Sequence, residues 1–179
     1  MQNKRLFLLR HAMALSNNEG DKSRELAPKG IEDALALGKW MLDQNYIPDA
    51  VLCSPAKRTR QTLENVKKNL QMPNASFPEI LYNGVAGDYL YEIQKIDDEY
   101  KNIMIVAHNP SIYELVILLA AQGSDAIMQK ISKGYPPASL SVIKCKCDSW
   151  RDIQPVENEI MNLVNPMDYN DSGRPTRWM

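Results

Sequence analysis

Three apolar runs in this chain carry no polar alternation: Leu6-Phe7-Leu8-Leu9, Ala50-Val51-Leu52-Cys53 and Ile103-Met104-Ile105-Val106-Ala107. A strand with one wet face alternates apolar and polar residues, so unbroken runs of this length suit strands covered by helices on both faces. Between the runs the period changes. From Pro28, a residue suited to the first turn of a helix, Ile31, Ala34, Leu35, Leu37, Gly38, Met41 and Leu42 recur at spacings of three and four. Leu63, Val66 and Leu70 do the same within residues 57–70, whose Arg, Lys, Gln and Glu remainder is expected to face water. Strands alternating with helices predict an α/β fold, a three-layer α/β/α sandwich with a mostly parallel central sheet. At 179 residues the chain is close to one domain of about 150. A single unit is expected, with a core over about residues 5–165 and a loosely held tail at 166–179.

The remaining segments are less regular. Residues 71–78 read as a loop and 79–82 as a short strand, while Val85, Tyr89, Ile93 and Ile96 suggest a third helix. Asn109-Pro110 opens a helix reaching residue 121, with Ile112, Leu115, Val116 and Leu119 on its buried side. Residues 138–146 read as an edge strand and 157–164 as a short helix.

Charge and cysteine content exclude several functions. Twenty-one Lys and Arg against twenty-two Asp and Glu give a net charge of −1, which offers no general grip on nucleic acid or an anionic membrane. Any anion site must be local. Cys53, Cys145 and Cys147 form no disulfide framework, and no Cys/His cluster has zinc spacing, so a reducing compartment and no metal are expected. The first apolar run is broken by Arg10-His11, too early for a secretion signal or a membrane span, and a cytoplasmic location is expected. Cys145-x-Cys147 reads as two strand thiols, and Trp40, Trp150 and Trp178 as packing residues.

In doubly covered sheets ligands bind beyond the carboxyl ends of the strands. Arg10-His11 follows the first strand, Ser54-Pro55-Ala56-Lys57-Arg58 the second, and His108-Asn109-Pro110 the third. A histidine after a strand is commonly a loop residue, and Arg58 alone reads as a solvated helix residue. However, His11 and His108 are the whole histidine complement, and both fall at strand ends that share one sheet edge. Two imidazoles and two guanidiniums gathered there suit an oxyanion such as phosphate, aided by the N-terminus of the helix after Pro110.

Leu8-Leu9-Arg10-His11-Ala12, Arg24-Glu25-Leu26-Ala27-Pro28-Lys29-Gly30, Ser54-Pro55-Ala56-Lys57-Arg58-Thr59-Arg60-Gln61-Thr62 and Val106-Ala107-His108-Asn109-Pro110 together resemble the histidine phosphatase superfamily, the phosphoglycerate mutase-like fold. Within it the resemblance is nearest to the small SixA-type phosphohistidine phosphatases and spans about residues 6–150. Ala12 stands where the family usually has glycine after Arg-His, as in the SixA-like branch. The resemblance implies His11 as a nucleophile that forms a phosphohistidine intermediate, with Arg10, Arg58 and His108 holding the equatorial oxygens. Arg24 and the Asn109 backbone N–H are further substrate-binding candidates. No cofactor or metal is implied.

Larger members of the superfamily add a carboxylic acid that protonates an alkoxide leaving group. No motif fixes its counterpart here: Glu79, Asp88 and Glu92 are available, and each reads better as a surface charge. An imidazole leaves more easily than an alkoxide, so the missing acid favours phosphohistidine, in the form of a histidine-phosphorylated protein. The alternatives are a small phosphate-ester phosphatase using Glu79 or Asp88 as acid, and a non-catalytic phosphate-binding domain. A mutase would need more chain than residues 71–100 supply.

Overall fold

The computed structural model describes residues 4–16 and 20–170. Six strands form one sheet: β1 (Lys4–Arg10), β2 (Ala50–Cys53), β3 (Asn102–Ala107), β4 (Ala120–Gln122), β5 (Leu140–Cys145) and β6 (Asn158–Val164). Their spatial order is β2-β3-β1-β5-β6-β4. β2, β3 and β1 are mutually parallel, and β5 alone runs against its neighbours β1 and β6, so five of the six strands share one direction.

Side chains leave a strand to alternate faces, and the two cores follow that period. Phe7, Leu9, Met104 and Val106 pack beneath α1 (Pro28–Asp43) and α2 (Lys57–Lys67), against Ala34, Leu37, Met41, Leu63 and Val66. Leu6, Leu8, Ile103 and Ile105 pack on the opposite face. There they meet α4 (Ala86–Gln94), α5 (Ser111–Leu119) and α6 (Asp125–Ser132) through Tyr89, Ile93, Ile112, Leu115, Val116 and Ile131. Helices on both faces give the expected three layers. The buried stripe of α1 is narrower than its sequence suggests, since Ile31 and Leu42 are exposed. Gly38 lies on that stripe where α1 meets α2, and a Cβ there would stand 2.3 Å from the Val66 carbonyl oxygen.

Four segments differ from expectation. Residues 79–82 do not form a strand: α3 (Ile80–Asn83) is a single helical turn, closed by the Gly84 N–H on the Ile80 carbonyl at 2.8 Å. β5 is not an edge strand but lies inside the sheet, between β1 and β6. Residues 158–164 are a strand rather than a helix. Ile160, Leu163 and Val164 match both a helical spacing and a half-buried strand, and pairing with β5 decides between them. The helix after Pro110 stops at Leu119, and the chain turns into β4.

The C-terminal segment is tied down as far as it is described. α7 (Pro166–Tyr169) is held by the Tyr169 hydroxyl, which donates to the Ala138 carbonyl at 2.7 Å. The rest of the expected loose tail, Trp178 included, lies outside the described residues. Trp150 is fully buried and donates to the Tyr100 carbonyl at 2.8 Å. Trp40 packs beside Tyr46. Cys145 is buried in β5, whereas Cys147 lies just beyond the strand, and burial pushes its thiol up to about 11. Among the described residues no helix is long and apolar enough to cross a membrane.

Candidate active site

The parallel trio β2-β3-β1 brings three strand ends to one edge. The His11 N–H donates to the Ala107 carbonyl at 3.0 Å, and the Ser54 N–H to the Val106 carbonyl at 2.9 Å, so the ladder continues past the strands into the site. Further bonds lock the backbone around His11. The Ala12 N–H donates to Thr62 Oγ1 at 3.0 Å, and the His11 carbonyl accepts from the Ala138 N–H at 3.1 Å. The two imidazole rings come to rest 5.2 Å apart, centroid to centroid, tilted by 56°.

Each ring has its proton placed by a neighbour. A carbonyl oxygen can only accept, so the 2.7 Å contact from His11 Nδ1 to the Ala12 carbonyl requires the proton on Nδ1. Nε2 then keeps its lone pair and makes no hydrogen bond among the described residues. Burial pushes the His11 imidazole down to about 4; the Ala12 carbonyl opposes that shift, and Arg58, Arg10 and Arg24 add to it. His108 Nε2 lies 2.7 Å from the hydroxyl of fully buried Ser54, which takes a long 3.5 Å contact from the Ala56 N–H. His108 Nε2 is the one acceptor that hydroxyl reaches among the described residues, so the Ser54 proton points to Nε2 and leaves the His108 proton on Nδ1. Burial, then His11 and Arg58, push His108 down to about 3. Both rings are neutral near pH 7.

The arginines are anchored by one part of the guanidinium and present another. Arg10 Nη1 donates to the Tyr135 carbonyl at 2.7 Å. Arg58, buried although on α2, donates from Nη1 to the Asp21 carbonyl at 2.6 Å and from Nη2 to Asp21 Oδ2 at 2.9 Å. Among the described residues three buried side-chain nitrogens remain without partners: Arg10 Nε, Arg58 Nε and His108 Nδ1. Leaving a buried donor unpaired costs about 1–3 kcal/mol. Three such donors, on Arg10, Arg58 and His108, make a cradle of a kind that suits the oxygens of a tetrahedral anion.

The other sequence candidates make contacts of their own. Arg24 donates from Nε to the Leu15 carbonyl at 2.8 Å and from Nη1 to Asp21 Oδ1 at 3.2 Å, tying the loop together, and its charge adds to the lowering of the His11 imidazole. The Asn109 side chain donates to the Tyr135 carbonyl at 3.1 Å, while its backbone N–H makes no hydrogen bond among the described residues. Glu79 pairs with Lys22 at 2.7 Å, Asp88 accepts from the Val85 N–H at 2.9 Å, and Glu92 pairs with Lys95 at 2.6 Å. Ser54, which opens the second motif but has no role in the sequence reading, joins the site with Asp21 and Tyr135, which lie outside every motif. Because β5 runs antiparallel to β1, the segment leading into β5 arrives at the carboxyl end of β1, which delivers Tyr135 to Arg10. The only sequence sign of Asp21 is its place three residues before Arg24.

Known proteins share parts of this sequence and its fold. The family model described as "Histidine phosphatase superfamily (branch 1)" matches residues 6–81. An uncharacterized protein of Mycobacterium tuberculosis is 35% identical over 150 residues, covering 82% of this chain and 92% of its own length. Phosphohistidine phosphatase SixA of Escherichia coli is 28% identical over 114 residues, covering 62% of this chain and 71% of its own. A SixA-type structure from Nakamurella multipartitia superposes with a TM-score of 0.78 at 25% identity, covering 93% of this chain and 98% of its own.

Proposed function

The chain belongs to the histidine phosphatase superfamily, and from that membership we propose that it is a phosphohistidine phosphatase in which His11 is the nucleophile. The observation that carries this reading is the cradle of three unpartnered buried nitrogens, on Arg10, Arg58 and His108, around an imidazole whose tautomer is fixed. His11 Nε2 attacks phosphorus in line, the bond from phosphorus to the leaving group breaks, and the phosphoryl group passes to Nε2. Attack by water on that intermediate then releases phosphate. Arg10 Nε, Arg58 Nε and His108 Nδ1 meet the three equatorial oxygens, where charge gathers during transfer.

The ester-phosphatase alternative needs a proton donor, and Glu79, Asp88 and Glu92 are each committed to surface contacts. Asp21 is nearer, but it is no donor at neutral pH. Burial raises its carboxyl, and the hydrogen bonds from Arg58 and Arg24 outweigh that and hold it at about 2. A leaving group that needs no donated proton fits the site best. The test is to incubate wild type and His11→Ala with a phosphohistidine peptide, quench in alkali, and measure acid-labile phosphate on the protein. Wild type is expected to turn over and carry label, and the variant to do neither. A wild type without turnover or label would leave a phosphate-binding domain as the better reading.

A further inference from the structure

Asp21 belongs to no motif singled out above, yet among the described residues it touches more of the site than any other carboxylate. It begins a short 3-10 turn, Asp21–Ser23, and 52% of its side chain is exposed. Oδ2 accepts from Arg58 Nη2 at 2.9 Å and from the Tyr82 hydroxyl at 3.1 Å, and Oδ1 accepts from Arg24 Nη1 at 3.2 Å. The Tyr82 ring in turn stands edge-on to His108, centroids 5.7 Å apart and planes at 82°, with Lys22 Nζ 5.2 Å from its centroid. An ionised carboxylate and an aromatic ring thus form one wall beside the cradle.

Arg58 and Arg24 meet the charge of the carboxylate, and three of its roughly four acceptor sites are filled, so one is left for a bound molecule that brings a donor group. A phosphate ester brings none, because its leaving oxygen gains negative charge as the bond to phosphorus breaks. A phosphorylated imidazole brings both complements, since its distal ring nitrogen can carry a proton and its ring can pack against Tyr82. We propose that Asp21 and Tyr82 form the leaving-group subsite, in which the Asp21 carboxylate accepts a hydrogen bond from the distal ring N–H of a phosphoimidazole and so selects phosphoramidates over phosphate esters. The inference rests on the reading of His11 as nucleophile. As the His11 Nε2–phosphorus bond forms, the phosphorus–nitrogen bond of the substrate breaks, and its electron pair stays on the ring nitrogen that carried phosphorus. The distal nitrogen keeps its proton, and the ring departs as neutral imidazole.

The test compares kcat/KM for phosphoimidazole and for phenyl phosphate, across pH 6 to 9, in wild type, Asp21→Asn and Tyr82→Ala. Losing a hydrogen bond to a charged group should lower the phosphoimidazole value in Asp21→Asn by about tenfold or more relative to the ester value. The loss should shrink as pH rises, because phosphoimidazole that has shed its distal proton has no N–H to give to the carboxylate. Tyr82→Ala leaves the carboxylate in place and should raise KM for phosphoimidazole more than for the ester. Equal losses on both substrates at every pH would overturn the inference while sparing the nucleophile, since Asp21 would then only hold Arg58. Wild-type preference for the ester would overturn the phosphohistidine reading and this inference with it.

Discussion

Replacing Arg58 by alanine separates a catalytic guanidinium from a structural one. The side chain is 6% exposed, and its Nε is one of the three buried nitrogens without a partner. If that N–H meets a phosphoryl oxygen, its loss should lower kcat/KM for a phosphohistidine peptide by about 100- to 1,000-fold, the cost of one preorganised donor. The stability side is smaller. The ion pair with Asp21 joins a partner that is 52% exposed, and such pairs are worth about 0.2–1 kcal/mol because the freed carboxylate is rehydrated. Burying two methylenes of the stem adds about 1.6 kcal/mol, and removing an unpaired buried donor returns about 1–3 kcal/mol. The terms nearly cancel, so Tm should move by no more than about 2–4 °C, the shift that about 1 kcal/mol gives a chain of this size. Arg58→Lys keeps the charge but has one nitrogen, which cannot both hold Asp21 and face the substrate, so it should recover little activity. Hydrolysis kinetics and thermal unfolding on the same preparations decide the matter. Activity within tenfold of wild type, or a Tm loss above about 10 °C, would refute the assignment.

Three further outcomes are expected. Ser54→Ala removes the hydroxyl that holds His108 Nε2, freeing the other tautomer and leaving a buried nitrogen unpaired; kcat should fall about tenfold or more and stability by about 1–3 kcal/mol, read from kinetics and urea unfolding. Folded His11 and His108 titrate at about 4 and about 3, below the ordinary 6.5, so the unfolded chain binds more protons between those values. Stability should therefore fall as pH drops below 6.5, by up to about 1.4 kcal/mol per pH unit for each ring, and His11→Gln/His108→Gln should flatten that slope in urea midpoints. Gly38→Ala gains about 1 kcal/mol of helix propensity but sets a Cβ 2.3 Å from the Val66 carbonyl oxygen. Forcing α1 from α2 should cost more than that gain and lower Tm in calorimetry; a raised Tm would mean that the two helices can slide apart.

The parts legible in the sequence are those fixed by local period and strand ends. Leu6-Phe7-Leu8-Leu9 is apolar throughout because it feeds both cores, and a run of that kind is visible without a structure. Arg10, His11, Arg58 and His108 are legible for a related reason: the edge they share follows from the parallel order alone. Tyr135 and Asp21 are not, since each is delivered by a segment whose path depends on tertiary pairing. Tyr135 needs β5 to run against its neighbours, and Asp21 sits in one short turn whose only local mark is the pairing with Arg24. The residues of β6 misread because a three-and-four spacing over seven residues fits either period. The exposed or buried fate of Arg58 was likewise open to α2 alone and is settled by the loop that carries Asp21.

The position of β1 bears on how the chain is made. Its two sheet neighbours lie far downstream: Arg5 pairs with Asn102 in one direction, and Lys4 with Cys145 in the other. A ribosome must translate more than half of the chain before the most apolar N-terminal segment meets either partner, and most of the rest before it meets both. Until then Leu6-Phe7-Leu8-Leu9 is an unpaired, sticky edge, the kind of segment on which nascent chains aggregate or engage chaperones. Contacts of such long sequence separation also close slowly, so refolding in vitro should lag behind that of helical chains of equal length. His11 follows directly on this strand and cannot be set in its cradle before those pairings close.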